Sequence, residues 1–277
     1  MTQRLDDLNL AVVGHTEWVE FVRVPQLPRP GEILHATESL QLPAGGGAVT
    51  AVQMAKLSGR CQFFTALGRD ALGERALDAL QQLGLDVHVV WRDQPTRRAI
   101  TFIDDQAERS ITVIGDRLAP SGQDPLPWAQ LQECHGVFLT ASDVEGVRLA
   151  RQAAVLTATP RLGLPVLAES AVRLDALIGS GLDPDEQVPA DALNPAPQLR
   201  IATEGDRGGW SDPGGRFEPV QRGAPKGDTY GAGDSFAGGV TAGLAAGWSP
   251  ARAIALGCRC GSHCIDGVGP YANQLEG

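Results

Sequence analysis

The chain lacks several features that define common protein classes. No apolar stretch approaches the roughly 20 residues needed to cross a bilayer, and the first residues have no signal-peptide core. No run of basic residues occurs, and the formal net charge is −10 over 277 residues. This charge disfavours a nucleic acid or an anionic membrane as a partner. We therefore expect a soluble cytoplasmic protein whose partners include neither.

Cysteine is also scarce. The chain has five cysteines, and an odd number fits a reducing compartment better than a disulfide framework. Cys258, Cys260, His263 and Cys264 are close enough in sequence to suggest a zinc site. The segment reads as a helix, however, on which Cys258 points away from the other three side chains. We therefore favour small buried cysteines that pack a helix over a metal site.

Several well-known catalytic motifs are missing as well. There is no Gly-Lys dipeptide for a Walker A loop, no Gly-x-Ser-x-Gly nucleophile elbow and no His-Glu-x-x-His. The Gly231-x-Gly233 pair lacks the third glycine of a dinucleotide fingerprint, because Phe236 stands in that place. A Rossmann dehydrogenase is therefore a poor alternative.

The most informative segment that is present spans residues 228–236, Asp-Thr-Tyr-Gly-Ala-Gly-Asp-Ser-Phe, followed by a run of small residues. Gly231 and Gly233 allow a tight turn, so that unpaired amides and the positive end of a helix dipole converge. Such a place favours a phosphate, and Asp234 lies beside it. Phosphoryl transfer needs this combination of positioning and charge. On its own, a glycine-rich turn can also serve only to pack a strand against a helix.

The whole segment resembles the carboxy-terminal signature of the ribokinase-like (PfkB) carbohydrate kinases. Other segments are similar to that family in the family's own order: Gly14, Pro30-Gly31-Glu32, the run Gly45-Gly46-Gly47, residues 66–73, residues 83–87 and Thr203-x-Gly205-x-x-Gly208. The resemblance extends over essentially the whole chain.

The resemblance implies an α/β fold of the ribokinase-like type, with three α/β/α layers, a central mostly parallel sheet and a small β lid. It implies a single domain over residues 1–277, with lid strands at about 15–36 and 97–115. The alternation of apolar and helical segments agrees with a layered sheet. It predicts strands at 8–13, 61–66, 87–90, 136–140 and 164–168, and helices at 47–57, 72–83, 144–156 and 251–264.

The resemblance further implies an ATP-dependent kinase that phosphorylates an alcohol group of a sugar or a sugar-like molecule such as a nucleoside or polyol. Asp234 is then the catalytic base. The other implied residues are Gly231, Ala232 and Gly233 for the developing charge; Glu17, Gly45, Gly46 and Thr50 for the acceptor; Thr203, Gly205 and Gly208 for the nucleotide; and Asp183 and Asp228 for the metal. The implied cofactors are ATP and Mg²⁺, with a monovalent cation as a further candidate, and the lid suggests a homodimer.

Two positions depart from the family pattern. Val19 stands where relatives carry the aspartate that anchors the sugar, and Val49 stands where they carry an asparagine. Glu17 shares a strand face with position 19 and is the candidate replacement for the lost carboxylate. Arg98 and Arg109 either meet an anionic substrate or lie on a solvated face. The departures leave a second hypothesis open, a nucleotide- or metabolite-binding regulator that has lost turnover.

Overall fold

The computed structural model describes residues 3–106, 109–221 and 227–277. Its strands are β1 (Leu10–Val13), β2 (Glu17–Arg23), β3 (Glu38–Ala44), β4 (Cys61–Gly68), β5 (Leu85–Arg92), β6 (Arg98–Ile103), β7 (Arg109–Ile114), β8 (Gly136–Leu139), β9 (Val155–Ala158), β10 (Ala176–Ser180), β11 (Arg200–Thr203), β12 (Gly209–Asp212) and β13 (Gly215–Phe217). The α-helices are α1 (Gly46–Ser58), α2 (Ala71–Gln82), α3 (Val144–Ala150), α4 (Leu164–Ser170), α5 (Ala232–Ala245) and α6 (Pro250–Cys264).

The main sheet has nine strands in the order β13-β12-β11-β10-β9-β8-β1-β4-β5. The strands from β11 to β5 are parallel, and β12 and β13 are antiparallel to their neighbours. Every residue of β1 is buried, as expected of a parallel strand with helices on both sides. One apolar cluster joins the sheet to α1, α5 and α6, and another joins it to α3 and α4. The three-layer arrangement predicted from the sequence is confirmed.

A second sheet of four strands, in the order β3-β2-β6-β7, forms the lid and is called the lid sheet below. Strand β2 pairs antiparallel with β3 and parallel with β6, and β6 pairs antiparallel with β7. Strand β3 follows the expected range 15–36 instead of lying within it. The intervening residues include Pro25, Pro28 and Pro30, which lack the amide hydrogen that a strand ladder needs.

The segment 164–168 is a helix and not the strand that its apolar run predicted. Helix α4 follows Gly163, whose φ is +116°, and has a proline in its first turn. Pro165 supplies no amide to a ladder but fits the start of a helix. A short apolar run cannot by itself distinguish a strand from a buried helix.

The predicted helix 144–156 is divided in the structure. Helix α3 ends at Ala150, and β9 begins at Val155. The guanidinium of Arg151 donates to the carbonyl of Ala153 and to Asp175, each at 2.7 Å, and these bonds hold the turn between the two elements. β-Branched Val155 and Thr157 then favour a strand.

Helices α5 and α6 pack closely because small residues face each other. A Cβ atom on Gly239 would lie 2.8 Å from the Sγ of Cys260. Cys260 and Cys264 are buried in this interface, and the Sγ of Cys264 donates to the carbonyl of Tyr230 at 3.3 Å. These cysteines therefore pack α6 and support the segment before α5. Within the described residues, no helix is long and apolar enough to cross a membrane.

Candidate active site

Two helix N-termini meet at the centre of the candidate site. Helix α1 starts at Gly46 and α5 starts at Ala232. A Cβ atom on Gly46 would lie 2.9 Å from the Oδ1 atom of Asp234, so only glycine leaves the carboxylate room. The hydroxyl of Thr50 donates to the carbonyl of Asp234 at 3.1 Å. The structure thus brings Gly46, Thr50 and Asp234 together.

The candidate anion-binding turn, Gly231 to Gly233, has one closed side and one open side. Gly231 caps α5 with a φ of +79°, and an added Cβ would lie 2.9 Å from both Pro270 and Val49. At Gly233, by contrast, an added Cβ would meet nothing within 4 Å. The first turn of α5 therefore presents the amide of Gly233 and a positive dipole end towards open space, where an anion can approach.

The carboxyl group of Asp234 has an unusual electrostatic environment. Its burial raises its pKa to about 6, and the negative charges of Glu186 and Glu17 act in the same direction. The positive charges of Arg109 and Arg161 oppose this shift. A carboxylate with a pKa nearer neutrality is a better proton acceptor than an ordinary aspartate.

Glu17, the candidate acceptor residue, lies in β2 with only 7% of its surface exposed. Its Oε1 atom is 3.1 Å from the Nε of Arg97 and 3.5 Å from the Nε2 of His15. Burial would raise the pKa of Glu17, but His15, Arg97 and Arg117 more than offset it, so the pKa lies below its ordinary value. Burial lowers the pKa of His15, which is therefore neutral at pH 7.

Gly45 and two aromatic residues, Phe21 and Tyr230, shape the candidate acceptor side around Glu17. Gly45 has a φ of +87°, and an added Cβ would lie 3.2 Å from both Glu17 and His15. The amide of Gly45 donates to the hydroxyl of Tyr230 at 3.2 Å, and Phe21 packs edge-on against the Tyr230 ring at 4.9 Å. The lid sheet, α1 and the signature segment therefore meet here.

The two residues that depart from the family pattern, Val19 and Val49, are both part of the apolar core. Val19 and Val49 have no exposed surface and belong to the main core. Val49 contacts the closed side of Gly231. Neither side chain offers a polar atom to an acceptor, whereas Glu17, His15 and Arg97 are polar side chains close to one another in this region.

The candidate nucleotide loop follows β11, which ends at Thr203. Gly205 starts a short 3₁₀ helix with a φ of +63°, and an added Cβ there would meet nothing within 4 Å. Gly208 has a φ of +78°, and an added Cβ would collide with the carbonyl of Phe217. The amide of Glu204 donates to the Gly208 carbonyl at 2.8 Å, which closes the loop.

The two candidate metal residues lie in different surroundings. Asp183 caps the 3₁₀ helix Pro184–Glu186 and forms an ion pair with Arg161. Asp228 is 1% exposed, and its two oxygens accept from the amides of Tyr230 at 2.7 Å and Gly269 at 2.8 Å. Burial raises the pKa of Asp228. These bonds let Asp228 brace the segment that leads into α5.

Glu186 is a further carboxylate at this edge of the sheet. It accepts from the amide of Ser180 at 2.8 Å and from the Nε of Arg161 at 2.6 Å. The negative charge of Glu186 also acts on Asp234, so Glu186 lies close to the centre of the candidate site. Mg²⁺ in kinases keeps several waters and uses few protein carboxylates, so Glu186 and Asp183 fit a site in which waters link the protein to the ion.

The two lid arginines behave differently. Arg109 in β7 donates to the hydroxyl of Thr229 at 2.5 Å and so joins the lid sheet to the signature segment. Its positive charge also acts on Asp234. Arg98 is exposed at the start of β6. Arg109 therefore faces the site, and Arg98 does not share this contact.

Sequence reasoning missed His15, Arg97 and Arg161. His15 lies on the same face of the chain as Glu17 and could have been found from that spacing. Arg97 reaches Glu17 only because β2 and β6 pair in parallel, with Trp18 opposite Arg98. Arg161 follows β9, a strand that the sequence did not reveal. The last two depend on tertiary pairing that has no local signal.

The order of strands in the main sheet, together with the lid sheet, defines a ribokinase-like α/β protein. Solved structures of that fold cover nearly the whole chain. Ribokinase from Arabidopsis thaliana, complexed with ribose and ATP, matches with a TM-score of 0.76 at 20% identity and covers 97% of this chain and 96% of that one. Adenosine kinase from Sinorhizobium meliloti matches with a TM-score of 0.73 at 17% identity, covering 95% of each chain.

The sequence matches the model of the pfkB family carbohydrate kinases over residues 7–276, and the chain belongs to this family. A fructokinase from Salmonella typhimurium is 28% identical over 253 residues, which are 78% of this chain and 81% of that protein. A ribokinase from Arabidopsis thaliana is 32% identical over 110 residues. That match and the next two curated ones span only 29%, 34% and 25% of the relatives' lengths.

Proposed function

We propose that the protein is an ATP-dependent phosphotransferase that acts on an alcohol group of a sugar or sugar-like molecule. The observation that carries the proposal is the position of Asp234, at the meeting of two helix N-termini beside the open side of Gly233. A carboxylate and an anion-binding turn at one point suit a hydroxyl that attacks a phosphoryl group. Family membership and the ATP-bound ribokinase neighbour support the same chemistry.

Asp234 accepts the hydroxyl proton late in the transfer. Phosphoryl transfer has a loose transition state, so the hydroxyl needs orientation more than early deprotonation. The amides of Gly231, Ala232 and Gly233 stabilise the charge that develops on the phosphoryl oxygens. Because these amides are fixed by α5, they need no reorganisation during the reaction.

Thr203, Gly205 and Gly208 line the nucleotide in this proposal. Gly205 is open to a ligand, whereas Gly208 is closed by Phe217 and shapes the loop. Mg²⁺, when bound with ATP, supplies positive charge to the phosphate oxygens. Glu186 and Asp183 would orient its waters, while Asp228 holds the signature segment. A monovalent cation near that segment is a further proposal.

The acceptor lies between Glu17, Gly45, Gly46 and Thr50. Since Val19 offers no carboxylate, Glu17 binds the acceptor hydroxyls from a shifted place, and the acceptor sits differently from ribose. We therefore propose that ribose is a poor substrate. The lid sheet is also proposed to pair two copies of the chain.

The test is a coupled assay of ATP consumption over sugars, polyols and nucleosides, with wild type and Asp234→Asn compared on the best acceptor. The variant keeps the side-chain shape and removes the proton acceptor. We expect kcat to fall at least about a hundredfold, with little change in ATP affinity. Asp78→Asn, at an exposed position of α2, is the matched control and should behave as wild type.

Near-normal turnover by Asp234→Asn would refute the role of this residue. ATP binding without transfer to any acceptor in the screen would instead favour the regulator hypothesis. Phosphorylation of ribose as the preferred acceptor would contradict the shifted position assigned to the substrate.

A further inference from the structure

Three arginines from separate parts of the chain, Arg97, Arg117 and Arg161, lie near one another beside the candidate site. Arg97 precedes β6 and lies 3.1 Å from Glu17. Arg117 follows β7 and donates to the carbonyl of Arg161 at 2.6 Å. Positive charge from Arg97 and Arg161 acts on Arg117, together with negative charge from Glu17. This concentration of cations contrasts with the net charge of −10 for the whole chain.

The three cations are not equally balanced by carboxylates. Arg161 pairs with Asp183 and Glu186, and Arg97 pairs with Glu17. Within residues 3–106, 109–221 and 227–277, Arg117 has no carboxylate at ion-pair distance. Around Glu17, two guanidinium groups therefore face one carboxylate, since His15 is neutral. Asp234 adds a second carboxylate to this side of the site, so Arg117 is distinguished by its lack of an ion-pair partner among the described residues and not by an excess of charge.

The hydrogen bonds at this place are also incomplete. The Nδ1 of His15 and the Nε of Arg97 are shielded from water and have no hydrogen-bond partner, although the Arg97 atom is close enough to Glu17 for an ion pair. Buried polar atoms are rarely left without partners, and each such atom calls for an explanation. Both atoms adjoin Glu17, where the proposed acceptor binds. A hydrogen-bond network that is completed by a bound ligand would account for both atoms.

We propose that the acceptor is an anionic polyol, a sugar-like molecule with a carboxylate or phosphate group in addition to its hydroxyls. Its anionic group binds Arg117 and Arg97, and its hydroxyls bind Glu17. The free guanidinium hydrogens of Arg117 form charge-assisted bonds, which are roughly twice as strong as neutral ones. This inference rests on the proposed kinase function and narrows its substrate class.

The test compares neutral and anionic acceptors in matched pairs: D-glucose with D-gluconate, and D-fructose with D-fructose 6-phosphate. We expect the anionic member of at least one pair to have a kcat/KM at least about tenfold higher, the size of one charge-assisted bond. The gluconate pair reports on a carboxylate and the fructose pair on a phosphate. A preference for both neutral members would overturn the proposal.

Arginine variants test whether Arg117 causes the preference for the anionic acceptor. Arg117→Ala should lower kcat/KM for the anionic acceptor by about tenfold or more and leave the neutral acceptor unchanged. Arg117→Lys keeps the charge and should retain part of the preference. Arg98→Ala removes an exposed arginine of the same lid sheet and should change neither. Equal losses on both acceptors in Arg117→Ala would contradict anion recognition.

A binding experiment separates this inference from the proposed function. Calorimetric titration of gluconate or fructose 6-phosphate, in the presence of a non-hydrolysable ATP analogue, measures acceptor affinity without turnover. Binding that Arg117→Ala weakens, without transfer by wild type, would retain the inference and refute the kinase function. Transfer to neutral sugars with no effect of Arg117→Ala would support the kinase function and refute the inference. Absence of binding by both anionic probes would overturn the inference.

Discussion

At the scale of single residues, Asp234 links stability to activity. Its native pKa of about 6 lies above the ordinary value of 3.8, so the native protein binds a proton more readily than the unfolded chain between these values. Asp234 therefore increases the free energy of unfolding at low pH, and this contribution is lost as pH rises through about 6. The proposed role of Asp234 as proton acceptor needs the opposite, ionised form.

Asp234→Asn should consequently make the protein more stable at pH 8 while it removes activity. We expect the free energy of unfolding to rise by about 1–3 kcal/mol at pH 8, allowing for solvent screening, and by much less at pH 4. Urea unfolding of wild type and variant at the two pH values measures the difference. Asp78→Asn should show no such pH-dependent difference, and an equal effect of Asp234→Asn at both pH values would contradict the argument.

Glu17 carries a carboxylate close to the position where Val19 lacks one. Glu17→Gln removes a charged hydrogen-bond acceptor from the acceptor pocket, so the KM of the acceptor should rise about tenfold or more while ATP affinity stays unchanged. Steady-state kinetics with each substrate varied in turn measures both values. An unchanged acceptor KM would exclude Glu17 from the pocket.

The reverse change, Val19→Asp, introduces the residue that relatives carry. Val19 has no exposed surface and packs in the core, so the new carboxylate would be buried among apolar side chains. We therefore expect a loss of stability and no improvement in ribose use. Circular dichroism melting would detect this cost independently of the kinetic assay.

At the scale of elements, the start of α5 has two glycines with different tasks. Gly231→Ala forces a methyl group against Pro270 and Val49 at a positive φ, so we expect unfolding at lower temperature. Gly233→Ala meets open space in a helix, where alanine is favoured by roughly 0.5–1 kcal/mol. The Gly233 variant should therefore melt no lower than wild type but lose turnover, because its methyl group enters the anion-binding turn. Retained activity in Gly233→Ala would place the phosphoryl group elsewhere.

The sequence revealed the elements that have local signals. The turn and helix around Asp234 could be predicted because glycines, a carboxylate and small residues occur in one short segment. The helix at Leu164 could not, since five apolar-rich residues suit a strand equally well. Arg97 and Arg161 escaped prediction because tertiary structure, and not proximity in sequence, brings Arg97 to Glu17 and Arg161 to Asp183 and Glu186.

At the scale of the whole molecule, the free edge of the lid sheet makes a prediction about assembly. All residues of β7 are exposed, including Ile111 at 43%, Val113 at 42% and Ile114 at 39%. An exposed apolar edge strand readily pairs with another chain. We expect a dimer in sedimentation experiments, which Val113→Lys should dissociate. Val220→Lys, at a position 37% exposed, is the control, and a monomeric wild type at micromolar concentration would contradict the proposal.

The two halves of the site differ in what encloses them, and this difference sets an order of events. Thr203, Gly205 and Gly208 belong to the main sheet and its loops, whereas the acceptor residue Glu17 belongs to the lid sheet. Arg109 ties that lid to Thr229 across the acceptor side. From the proposed site we therefore expect the nucleotide to exchange while the lid sheet stays in place, and the acceptor to enter and its product to leave only when the contact between Arg109 and Thr229 is broken.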